Sequence, residues 1–122
     1  MAALNIAFEP PVAVPAANIS KSRPVDLVFL AAQTKGDKER EMEALKAYSR
    51  QARACLLNLL SEDGRAVLEA ATRLKSAANQ IGANRVSDAA DTLEREGASA
   101  ANLAVVSAAI VEAENFILKL CR

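Results

Sequence analysis

The chain has 122 residues, with 15 basic and 15 acidic side chains. That is one domain, and no net charge steers it toward nucleic acid or an anionic membrane. Apolar residues make up 52% and aromatics only 3%, with no histidine, no tryptophan and two cysteines, too few for a disulfide scaffold and too few of the usual ligands for a zinc site.

Residues 1–23 hold three of the four prolines and read as an extended or disordered tail. Glu9-Pro10-Pro11 interrupts the apolar run early, and no basic segment precedes it, so a signal peptide is not expected. Leu4, Ile6 and Phe8 alternate, as do Val12 and Val14; this period of two gives the tail one apolar edge, suited to self-association.

Pro24 is expected in the first turn of a short helix over about residues 24–34, carrying Leu27, Leu30 and Ala31 and stopped by Gly36. Asp37 is the expected N-cap of a long second helix, striped by Met42, Leu45, Ser49, Ala52, Leu56 and Leu59. Ser61 is the expected cap of a third helix ending at Gly82, Asn84 the cap of a fourth closed by Gly97, and Ser99 the start of a fifth. In that last helix Leu103, Val106, Ile110, Ala113, Ile117 and Leu120 alternate at spacings of three and four. This regularity predicts an all-α chain, an antiparallel up-and-down four-helix bundle over residues 24–122 with a short additional N-terminal helix. Cys55 and Cys121 lie inside helical apolar patterns and are expected to be buried, reduced thiols of a cytoplasmic protein. No window spans a membrane, and no metal or cofactor is expected.

At 100° per residue the third helix divides into two faces. Val67, Ala70, Leu74, Ala77, Ala78 and Ile81 face the expected core. Arg65, Glu69, Thr72, Lys75, Ser76 and Asn79 form the opposite polar stripe, with Leu68 at its margin. An exposed stripe is the ordinary state of a surface helix. No catalytic set is visible, with neither a base nor a reactive thiol for nucleophilic chemistry and no Gly-rich phosphate loop.

The segments VDLVFLAAQTKGDKEREMEALKAYSRQARACLLNLL (25–60), ATRLKSAANQIGA (71–83) and DTLEREG (91–97) add to this reading. Together they resemble the histidine-containing phosphotransfer (HPt) domains of bacterial two-component phosphorelays. The active helix of that family has the form A-H-x-L-K-[GS]-x-A-x-x-[LI]-G-A, which Leu74, Lys75, Ser76, Ala78, Ile81, Gly82 and Ala83 fit. Thr72 stands where the family has its phosphohistidine. The resemblance therefore implies docking without transfer. A threonine hydroxyl with no base is a poor nucleophile, and its phosphate ester is too stable to pass the group on.

On this resemblance the expected partner is the receiver domain of a response regulator or hybrid sensor kinase. The expected docking face is Arg65, Leu68, Glu69, Thr72, Lys75, Ser76 and Asn79, with Lys75 meeting the receiver's acidic pocket. The chain is then not an enzyme. The alternative is a structural or assembly bundle that acts through residues 1–23 and leaves the face unused. A third expectation is a switch in which a Ser/Thr kinase modifies Thr72 beside Lys75.

Overall fold

The computed structural model describes residues 23–121; the tail expected over 1–23 lies outside the described residues but for Arg23. Among the described residues the chain is all-α, with five helices and no strand.

Helix α1 (Leu27–Gln33) begins later than its sequence suggests. Asp26 is its cap, the carboxylate accepting from the backbone N–H groups of Val28 and Phe29 at 3.1 Å each, and Pro24 stays outside the helix. An acid offering two bonds to orphan amides outweighs a proline that offers none. Helix α2 (Lys38–Leu59) is capped by Asp37, as expected. Helix α3 (Gly64–Ile81) is capped by Asp63 and not by Ser61. Ser61 instead accepts from the Asp63 N–H at 3.0 Å and shapes the preceding turn.

Helix α4 (Asn84–Glu96) follows α3 after only two residues. Gly82 takes φ +74° and ends α3, and the N–H of Ala83 reaches back to the Ala78 carbonyl at 2.9 Å. Ala83 occupies the cap position of α4 with no side-chain bond, and Asn84 is the first helical residue rather than the cap. The connection is too tight for a polar cap, because Ala83 is wholly buried. Helix α5 (Ala100–Leu120) starts from Ser99, whose hydroxyl accepts from the Asn102 N–H at 3.1 Å.

Helix α3 packs against α2 on one side and α4 on the other, while α5 packs on α4 and α2, and α1 rests on α3. One core runs through them. Helices α3 and α4 both bury small residues, Ala70, Ala71, Ala77 and Ala78 on α3 and Ala89 and Ala90 on α4, which lets neighbouring backbones approach closely. Every expected core residue of α3 is buried, and so is Ala71, which the periodicity did not assign. At the ends the stripes run past their neighbours: Met42 and Leu120 are exposed and Leu103 is half-buried. Cys55 is a buried free thiol, whereas Cys121 is only half-buried, because it is the residue at which α5 ends. Among the described residues no helix is long and apolar enough to cross a membrane.

Candidate functional site

The α3 side chains predicted as a docking face point away from the core, but they do not form one free surface. Arg65, Leu68, Glu69 and Thr72 line a shallow depression with Arg73. Leu68 is 46% exposed there, an apolar side chain among charged ones. Ser76 and Asn79 are also exposed. Asn79, however, is turned to α4, where its carboxamide oxygen accepts from the Ser87 hydroxyl at 2.6 Å.

Lys75 departs most from expectation. Its ammonium sits 2.7 Å from a Glu94 oxygen and 3.2 Å from an Asp91 oxygen, and Asp91 in turn holds Arg95 at 2.9 Å. Lys75 is half-buried and ties α3 to α4. An ammonium has three donors, and two are spent on these acids, so Lys75 is not the open cation that a partner's acidic pocket would need.

Thr72 is drawn into the same network. Its hydroxyl lies 3.0 Å from the Leu68 carbonyl oxygen and also donates to the Glu94 carboxylate. The sequence suggested no base beside Thr72; the fold supplies one from 22 positions away. That base is weak. Hydrogen bonds from Lys75, then from Thr72, hold the Glu94 carboxyl below its ordinary range. Hydrogen bonds from Arg95, then from Lys75, do the same to Asp91. A carboxylate acidified in this way has little drive to take a hydroxyl proton.

This network gives stability a pH dependence of definite sign. The ordinary pKa values are 4.5 for Glu94 and 3.8 for Asp91, and both are lowered in the fold. Above the ordinary values their stabilisation is complete. As pH falls through the lowered folded values, both protonate and the contribution is lost. Hydrogen bonds to Glu94 and then Asp91 raise Lys75 above 10.5, so its own contribution is complete below that pH and disappears only in strong alkali. Thermal melts of Lys75→Met should fall less steeply with acidification than those of the wild type. Parallel acid profiles would show that the bridge does not couple to folding.

On the other flank of α3, Arg73 and Cys55 line the same groove against α2. Burial pushes the Cys55 thiol up, and the charge and hydrogen bond of Arg73 pull it part of the way back. The net effect is an inert, protonated thiol at neutral pH. Among the described residues no group of three His, Cys, Asp or Glu side chains is placed to hold a metal ion.

Compared with family models, with curated proteins and with solved structures, the chain matches none.

The pairs Lys75–Glu94, Thr72–Glu94 and Asn79–Ser87 were missed from sequence because each depends on the register of two helices. The one available hint was DTLERE, in which Asp91 and Glu94 stand three apart and share a helix face.

Proposed function

We propose that this chain is a degenerate HPt-like protein: it docks a receiver domain through the outer face of α3 and exchanges no phosphoryl group with it. In this reading α2 to α5 form an antiparallel up-and-down four-helix bundle, with α1 as an added wedge. The observation that carries the proposal is the shallow depression on α3, in which four of the seven candidate residues, Arg65, Leu68, Glu69 and Thr72, come together around the exposed leucine. An exposed apolar residue ringed by charges suits a protein contact, where one anchor is desolvated and a polar rim sets orientation. Thr72 at its edge supports docking without transfer, because its neighbouring base is acidified by Lys75.

In this reading the face centres on Arg65, Leu68, Glu69 and Thr72 with Arg73 beside them, while the contacts of Lys75 and Asn79 with α4 favour a supporting part for those two. Phosphorylation of Thr72 by a Ser/Thr kinase fits poorly. The hydroxyl lies in the middle of a helix, hydrogen-bonded to backbone and to an acid, and an added phosphate would meet the negative charge of Glu94.

The test uses purified protein to capture receiver-domain proteins from native lysate, identified by mass, beside an Arg65→Glu, Leu68→Glu variant. Both positions are exposed, so the core is untouched. Loss of an anchor and reversal of a rim charge should weaken capture of an identified receiver by about tenfold or more. No receiver captured, or equal capture by both proteins, would retire the docking reading.

A second reading, an assembly bundle acting through residues 1–23, is favoured by one observation. Val105, Val111 and Leu118 on α5 are exposed apolar side chains, which suits burial against another surface. Under this reading the molecular mass in solution rises with concentration, and the Arg65→Glu, Leu68→Glu variant changes nothing.

A further inference from the structure

The seam between α2 and α3 opens into a groove of about 250 Å³. Its polar walls are Gln51 and Asn58 from α2 and Arg73, Ser76 and Gln80 from α3, and no acidic side chain lines it. Arg73 supplies the one formal charge. The cations at Lys75, Arg53, Arg85 and Arg95 each meet a carboxylate. Arg73 forms no ion pair with a carboxylate among the described residues, and it lines the groove beside Cys55.

The other four wall residues, three carboxamides and a hydroxyl, can all donate hydrogen bonds. A groove that is donor-rich, cationic and free of acids selects an acceptor carrying negative charge. Its volume lies below the roughly 300 Å³ at which small-molecule pockets usually begin, so it suits a single charged group rather than a large ligand. An adjoining recess of about 90 Å³ shares Gln51 and Gln80 with the groove and is also lined by Tyr48. Tyr48 is 3% exposed, and its hydroxyl has no hydrogen-bond partner.

We propose that the groove is a small-oxyanion site, which holds a phosphate or carboxylate group between the Arg73 guanidinium and the donors of Gln51, Asn58, Ser76 and Gln80. The site shares Arg73 with the proposed docking face, but binding of a small oxyanion is read without any partner protein and so stands or falls separately from the docking reading. A bound oxyanion would take a forked contact from the Arg73 guanidinium.

The experiment is a nitrogen-edited NMR titration of the full chain with inorganic phosphate and, separately, acetate, at constant ionic strength so that general screening is held fixed. The expected result is saturable shifts of the Gln51, Asn58 and Gln80 side-chain amides and of the Arg73 Nε–H, with a Kd on the order of 1 mM. Arg73→Gln should weaken binding about tenfold, and Arg73→Lys by less, because it keeps the charge and loses the fork. Saturation by phosphate alone assigns the site to phosphoryl groups; saturation by acetate, with or without phosphate, extends it to carboxylates. Shifts that never saturate, that spread over every exposed Arg and Lys, or that persist unchanged in Arg73→Gln would overturn the proposal. Should Arg73→Gln lose its helical circular dichroism, Arg73→Lys and the wild-type shift map decide the question.

Discussion

Replacing Gly82 by alanine should cost roughly 2–4 kcal/mol of stability, the sum of a left-handed backbone and an overpacked contact. Gly82 sits at φ +74°, where an L side chain is strained. A Cβ there would lie 2.9 Å from Asp26 Cβ, 3.1 Å from Phe29 Cδ2 and 3.2 Å from the Asp26 carbonyl oxygen. Asp26 cannot easily yield. Its N–H donates to the Gly82 carbonyl at 2.9 Å, and its carboxylate caps α1. The added methyl therefore pushes on the start of α1 and on the seat of Val25 and Leu30, both buried. Gly36 is the control, with φ +78° and nothing within 4 Å of an added Cβ. Gly36→Ala should show the backbone cost alone, about 1–2 kcal/mol. For a domain of this size each kcal/mol moves the Tm by about 4–8 °C, so urea and thermal denaturation resolve the difference. Equal losses in the two variants would mean that α1 does not press on Gly82.

The glycine illustrates what the sequence could reveal. Its role as a helix stop was readable, because Gly after an apolar period signals a left-handed cap. Its second role, as the gap into which Asp26 fits, was not, since it depends on where a segment 56 residues earlier comes to rest. The same division holds elsewhere. Asp37 and Ser99 were legible as caps because a cap acts within three residues of itself. The buried face of α3 was legible because its period is local. Ser61 and Asn84 were misassigned because a nearby acid at Asp63 and a tight turn at Gly82–Ala83 took over. The candidate face was legible as a stripe and illegible as a network. Thr72, Lys75 and Asn79 all point outward from α3, and all three meet α4 side chains. A helical wheel cannot show a neighbour.

If the chain docks a receiver as proposed, Thr72→His should make it accept phosphate from that receiver. The gain is from none to detectable, because a threonine hydroxyl beside an acidified Glu94 has no means to attack an aspartyl phosphate, whereas imidazole is nucleophilic near neutral pH. Position 72 is exposed on the middle of α3, so the ring can be accommodated without disturbing the core. The same network limits the gain. Glu94 accepts from the residue-72 side chain and occupies Lys75, so a phosphoryl group arriving there meets a carboxylate and finds its cation engaged. Glu94→Gln removes that charge. One unit charge about 4 Å away in water alters a rate by roughly fivefold, and leaving Lys75 with Asp91 as its one carboxylate partner acts in the same direction. The double variant Thr72→His, Glu94→Gln should therefore be phosphorylated at least about fivefold faster than Thr72→His. The product should be labile in acid and stable in base, unlike a phosphothreonine ester. Receiver capture that survives while neither variant is phosphorylated would place residue 72 away from the receiver's aspartate, and would break the alignment on which the HPt reading stands. Phosphorylation of Thr72→His but not of the wild type would show that a working transfer geometry persists and that a single side chain separates docking from chemistry.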